Sequence, residues 1–225
     1  MSIEMPNVIR ECDANWLGIV NYREGLELQE RAVEGLRLGQ GTEKLFLLEH
    51  PHVVTLGRGA KGSNIVAPAE ELQSMSVEVH ETGRGGDVTY HGPGQLVGYP
   101  ILNLRPDRCD VHRYVRDLEE VLIRVVSEFG LEGVRIQGLT GVWVGNEKVA
   151  AIGVRIARWI TSHGFALNVN TELSYFKMIV PCGIQDRGVT SLSRLLGREL
   201  ELPRVARVLS RHFGEVFNRS VRLIN

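Results

Sequence analysis

Cysteine is scarce in this chain, with three among 225 residues: Cys12, Cys109 and Cys182. They are far apart, odd in number and form no Cys-x-x-Cys pair. That disfavours a disulfide framework or a zinc site. Reduced thiols in a cytoplasmic protein are the expectation. A basic excess is also missing, since 26 Lys and Arg stand against 27 Asp and Glu, a net charge of −1. Nothing in that balance would draw the chain broadly to nucleic acid. No apolar run approaches the length of a membrane span. The opening MSIEMPNVIRECDANW carries acids early and lacks the apolar stretch of a secretory signal. Two phosphate-binding signatures are absent as well: there is no GxxxxGK[ST], and no GxGxxG between a strand and a helix. No cofactor and no metal is expected, and neither nucleic acid nor a membrane is expected as a partner.

What remains is an ordinary soluble composition, 43% hydrophobic and 24% charged. The length suffices for a real core. No repeat, low-complexity segment or linker divides it, so the reading is a single domain over residues 1–225, with residues 1–14 as a loosely ordered arm. Residues 16–20 (WLGIV) read as a short strand. Tyr22, Leu26, Gln29, Val33 and Leu36 mark a helical face. Residues 44–50, 53–57, 77–82 and 96–104 read as strands, with a short helix at 68–73. Pro100 inside the last strand points to an edge or a bulge. Asp110 is positioned to cap an amphipathic helix carrying Val111, Tyr114, Leu118, Val121, Leu122, Val125 and Phe129, closed by Gly130. Gly145-Asn146 is a hairpin turn between residues 141–144 and 148–157, and 160–170 follows as an antiparallel strand. A last helix carries Val205, Leu209, Phe213 and Val216, and VRLI follows near the end. Short turns join many of these strands. The fold class is therefore α+β, a mixed and mostly antiparallel sheet with flanking helices.

One stretch stands apart. RGGDVTYHGPGQ, Arg84 to Gln95, holds four glycines and a proline among an Arg, an Asp, a Tyr and a His. It follows a strand, yet VTYH is itself strand-like and GPGQ breaks any helix, so no helix N-terminus is offered to an anion. A tight turn with bulges is the bland account. The density of glycine beside reactive residue types argues for bare backbone against which a ligand lies.

Three blocks, RGGDVTYHGPGQLVGYPILNL, GVWVGNEKVAAIGVRIARWITSHGFALNVN and PCGIQDRGVTSL, together resemble the lipoyl(octanoyl) transferase family, in family order and spacing from about Leu45 to about Leu192. The resemblance implies the fold of the biotin and lipoate ligases. It implies transfer of an octanoyl or lipoyl group from an acyl carrier protein thioester to a lysine. That lysine sits on lipoyl domains of 2-oxoacid dehydrogenases or on the glycine-cleavage H protein, and the transfer is the first step of endogenous lipoylation. By the same resemblance Cys182 of the PCG motif carries the acyl-thioester, and Lys148 of NEKVAAIG lowers its pKa. Substrate contacts would fall on Arg84, Gly85, Gly86, Asp87, Val88, Thr89, Tyr90 and His91, on Ala151, Ile152 and Gly153, and on Gly164, Phe165 and Ala166.

The residue types suit that chemistry. A cysteine is the stronger nucleophile as thiolate, which a nearby cation favours. A thioester donor is already activated, so ATP is not needed. The plainer readings stay beside it. A lone cysteine is more often an inert buried hydrophobe, which is the expectation for Cys12 and Cys109. His91 or His163 could pair with a cysteine as base, with His91 otherwise a pocket wall and His163 one layer behind it. His50 and His52 would shape the turn around Pro51. Arg84 would meet an anion of the donor or brace its loop on Asp87. Tyr90 and Trp143 would be core or pocket lining.

Overall fold

The computed structural model describes residues 9–180 and 187–224. In chain order its elements are β1 (Arg10–Ile19), α1 (Tyr22–Arg37), β2 (Glu43–Glu49), β3 (Val53–Leu56), α2 (Ala69–Ser74), β4 (Glu78–Glu81), β5 (Val88–His91), β6 (Gln95–Ile101), α3 (Val111–Glu128), β7 (Val134–Ile136), β8 (Leu139–Val144), β9 (Glu147–Ala157), β10 (Ile160–Asn168), α4 (Leu192–Leu196), α5 (Leu202–Phe217) and β11 (Arg219–Ile224), with 3-10 turns at Gly62–Asn64 and Leu173–Met178. Eight strands form one mixed sheet in the order β11-β1-β2-β6-β10-β9-β8-β7, and β4-β3-β5 form a second, small sheet. Among the described strands the β1–β11, β1–β2 and β3–β4 pairs are parallel and the rest antiparallel. The α+β architecture with a mostly antiparallel sheet is as the sequence suggested; the division into two sheets is not.

Periodicity explains the layers. α3 and α5 bury Tyr114, Leu118, Val121, Leu122, Val125, Val205, Leu209, Phe213 and Phe217 against one face of the large sheet. Asp110 caps α3 by accepting from the Arg113 N–H at 3.0 Å, and Gly130 follows it at φ +79°. Val111, expected on the apolar face, is exposed. On the opposite face α1 packs Leu28, Ala32, Val33 and Leu36 over Phe46, Leu48, Val97, Tyr99 and Ala166. The small sheet covers the rest of that face with its own cluster, including Val54, Val88, Tyr90 and Met178.

Two local expectations change. Residues 10–14, assigned to a loose arm, lie in β1, which is longer than the strand expected at 16–20. Pro100 is neither at an edge nor in a bulge: β6 is central, between β2 and β10. Proline is tolerated because it falls past the last β6–β10 pair, Gly98–Phe165. There Thr161 Oγ1 donates to Pro100 O at 2.7 Å in place of a ladder bond.

The sheet edge at β11 is tied by a buried carboxylate. Glu43 accepts from Arg219 Nε at 2.5 Å and from the Asn103 N–H at 3.0 Å, and Arg10 lies 3.1 Å away. Glu43 and Arg219 are both buried. Removing one partner of such a pair strands the other charge, at a cost of about 3–5 kcal/mol. Glu43→Ala should therefore lower Tm by roughly 6–20 °C in a domain of this size. Calorimetric unfolding checks this, and a drop below about 2 °C would show that the pair does not anchor the edge.

Candidate active site

A cavity of about 270 Å³ lies between the two sheets. One wall is the loop and strand before His91: Arg84, Gly86, Asp87, Val88, Thr89 and His91 all line it. The other is the β9–β10 ladder, where Ala151 pairs with Ala166 and Gly153 with Gly164, and all four line the cavity together with Ile152 and Phe165. Lys148 lines it where Gly138 and Thr140 are exposed; Tyr22, Tyr99 and His163, all buried, close the inner end. Lining is mostly apolar and glycine-rich because the sheets approach closely. A Cβ on Gly153 would stand 3.0 Å from Gly85 O, and one on Gly57 only 2.4 Å from Gly86 O.

Arg84 carries the loop wall. It is 7% exposed, and its guanidinium donates to Thr55 O at 2.7 Å, to Thr55 Oγ1 at 2.9 and 3.2 Å, and to Gly85 O at 3.1 Å. The brace is thus Thr55 on β3 rather than Asp87, which accepts instead from Asn64 Nδ2 and the Val88 N–H, each at 2.7 Å. Gly85 does not line the cavity: its N–H donates to Val154 O at 2.8 Å and so joins the loop to β9. Tyr90 does not line it either. Alternation along β5 turns it away, where it is fully buried with its hydroxyl 2.7 Å from His52 Nδ1 and its ring stacked on Tyr175.

Lys148 opens β9. Its backbone pairs with the chain after residue 186: its N–H donates to Gly188 O at 2.9 Å, and Thr190 N–H donates to its carbonyl at 3.0 Å. The Nζ stands 4.8 Å from the Trp143 ring centre. Gly141 makes room for the stem, with φ +124° and a hypothetical Cβ 3.3 Å from Lys148 Cε. Burial of the ammonium brings its pKa down to about 8.

The two cavity histidines, His91 and His163, are weak bases. Burial first, then the neighbouring His50, pulls His91 down to about 3, and burial with Arg84 and Arg155 pulls His163 down to about 4. His91 Nδ1 lies 2.7 Å from Gln95 Oε1, so that nitrogen is assigned the proton. His163 was expected behind the wall but lines the cavity itself. His50 does more than shape a turn: it bridges Val20 O and the Tyr99 hydroxyl at 2.6 and 2.7 Å. Trp143 is fully buried beneath Lys148. Cys12 is buried, and burial pushes its thiol up to about 12. Cys109, also expected to be buried, is exposed. Cys182 falls outside the described residues. Cavity residues that sequence reasoning missed include Tyr22, Tyr99, Leu139, Phe176 and Val189. The two tyrosines sit in apolar patterns that read as core; the others carry no local signal. Among the described residues no cluster of three His, Cys, Asp or Glu could hold a metal, and no helix is long and apolar enough to cross a membrane.

The chain that builds this cavity matches the family model of the lipoyl protein ligase A/B catalytic domain over residues 21–214. The same fold appears in a lipoate-protein ligase A solved with ATP (16% identity, TM-score 0.76, 96% of this chain and 90% of that one). It appears more distantly in the biotin protein ligase of Aquifex aeolicus (14%, TM-score 0.51, 91% and 68%). The chain is 50% identical to the octanoyltransferase of Solibacter usitatus over 93% of its own length and 94% of the relative's. It is 52% identical to that of Koribacter versatilis, over 91% and 84%. The chain belongs to the octanoyltransferase family: it is an acyltransferase that moves octanoyl groups in protein lipoylation.

Lys148 also gives a pH signature. Its folded pKa of about 8 lies below the ordinary 10.5, so between these values the unfolded chain binds the extra proton and stability rises with pH. Below about 8 the folded protein bears a buried ammonium at full cost. Lys148→Met should be the more stable protein at pH 7, with the difference narrowing from pH 8 towards 10.5. Denaturant titrations of both proteins across that range check this; a constant difference would contradict the depressed pKa.

Proposed function

We propose that this enzyme takes its octanoyl group from an acyl carrier protein thioester onto Cys182. It then passes the group to a lysine of a lipoyl domain of a 2-oxoacid dehydrogenase, or of the glycine-cleavage H protein. The observation that carries the reading is Lys148: an ammonium half-buried beside an apolar cavity, with a pKa of about 8, poised to exchange protons near neutrality. The chain on both sides of residues 181–186 also contributes to the cavity lining, through Phe176 and Val189.

In the first half-reaction the Cys182 thiolate attacks the thioester carbonyl, the carrier's thiolate leaves, and a proton restores its thiol. In the second, the neutral acceptor amine attacks the acyl-cysteine and the Cys182 thiolate departs. The amine's proton passes to Lys148, which is less basic once its anionic partner has been acylated. The cavity walls hold the eight-carbon chain away from water, which protects the thioester from hydrolysis. The side chains of Arg84, Asp87, Thr89 and His91 and the backbone at Gly86, Val88, Ala151 to Gly153 and Gly164 to Ala166 form the substrate contacts. Gly85 and Tyr90 support them from behind.

Incubation with octanoyl-carrier protein in the absence of ATP should add one octanoyl mass to the intact protein, and Cys182→Ala should abolish the adduct. Lys148→Met should slow adduct formation by about 10²–10⁴, the usual range for a proton-handling residue. An adduct that appears only with ATP would instead make the chain a ligase.

A further inference from the structure

Two cavities lie end to end along the β9–β10 ladder. The first, described above, is bounded by the pairs Ala151–Ala166 and Gly153–Gly164. The second, of about 390 Å³, is lined by the pairs Arg155–Ser162 and Ala157–Ile160 and by α1 residues such as Leu26, Gln29 and Val33. Between them comes one pair, Val154–His163. Among the described residues His163 is the single residue lining both cavities.

Its backbone explains how it comes to be there. Strict alternation would send His163 to the far face with Phe165, which packs in the cluster of α3 and α5. A φ of +55° breaks the alternation. The ring instead stands 6.4 Å from that of Tyr99 on the α1 face. From α1, the Gln29 side chain accepts the His163 N–H at 2.7 Å and holds the turn in place. A left-handed conformation at a residue with a side chain is unfavourable and persists only where its surroundings impose it. Here it sets an imidazole across the inner end of the acyl cavity.

We propose that His163 is a partition that limits acyl chain length. The cavity accepts an octanoyl chain and stops at the imidazole. Beyond it the second cavity offers Leu26, Val33, Ala157 and Ile160 to the additional methylenes of a longer chain, with Glu30, Glu34 and Arg155 at its polar side. The inference rests on the reading that the acyl chain fills the first cavity.

The test compares octanoyl and tetradecanoyl thioesters of acyl carrier protein as donors, reading transfer to a lipoyl domain by intact mass. His163→Gly suits the positive φ and opens the partition. The tetradecanoyl-to-octanoyl rate ratio should rise by at least about tenfold, the scale on which methylene-sized pocket changes discriminate. His163→Asn, a shorter residue that tolerates the left-handed region, should move the ratio the same way by less, and it decides the matter if the glycine variant does not fold. Val33→Trp added to His163→Gly refills the second cavity and should return the ratio towards that of the parent. An unchanged ratio in a folded variant overturns the partition. So does loss of transfer from both donors, which would assign His163 to the chemistry. Ala151→Phe separates this failure from that of the underlying reading. If that variant transfers octanoyl at the parent rate, the chain does not lie in the first cavity at all. If it is blocked while the ratio in His163→Gly stays fixed, only the partition is wrong.

Discussion

The guanidinium of Arg84, buried in the cavity wall, donates to the Thr55 carbonyl and hydroxyl and to Gly85 O. A buried charge is costly unless its donors are satisfied, and satisfying these ones requires the 84–87 backbone to run beside β3. Gly57, Arg58 and Gly59 then bond to Asp87, Arg84 and Gly86 across that seam, and Gly85 reaches over to Val154 on β9. One side chain thus holds the small sheet at the separation from the large one on which the cavity depends. The glycines permit that separation: any Cβ at Gly57 or Gly153 would meet backbone or the Arg84 side chain.

Enclosure then sets the electrostatics. The space between the sheets is apolar, so groups facing it lose hydration and shift towards their neutral forms. Lysine becomes less basic and histidine less able to carry a proton, which is why Lys148 rather than His91 or His163 is the group titrating near neutrality. His91 and His163 are left as shape and hydrogen-bonding elements. At His163 the shape is made by a strained backbone, at a cost of about 1–2 kcal/mol, and α1 holds it through Gln29.

Much of this was legible in the chain because it rests on short-range rules. The periodicity of α3, the Asp110 cap, the Gly145 turn and the strand on either side of it all appear where local preference puts them. Of the glycines from Gly83 to Gly94, Gly86 lines the cavity, while Gly85 ties the loop to β9. Errors fell where distant segments decide. Pro100 read as an edge or bulge signal, yet it lies past the last β6–β10 pair, where Thr161, sixty-one residues on, satisfies its carbonyl. Residues 10–14 read as an arm because nothing local reveals that they pair with β2 and with β11 at the other end of the chain. Tyr90 read as a substrate contact because it stands between Thr89 and His91, which line the cavity, but its own ring packs away from it on Tyr175.

The sequence by itself determined the family, the fold class and the absence of any nucleotide-binding motif, since each of these is written in residue type, near spacing and the order of the motif blocks. Only the tertiary structure decided that there are two sheets, that Arg84 braces on Thr55, that Tyr22 and Tyr99 close the inner end, and that His163 stands across it. Those facts depend on which backbones come within a few ångströms of each other. Spacing along a strand gives the face of a side chain but not what stands opposite, and at His163 a single positive φ overrides even the face.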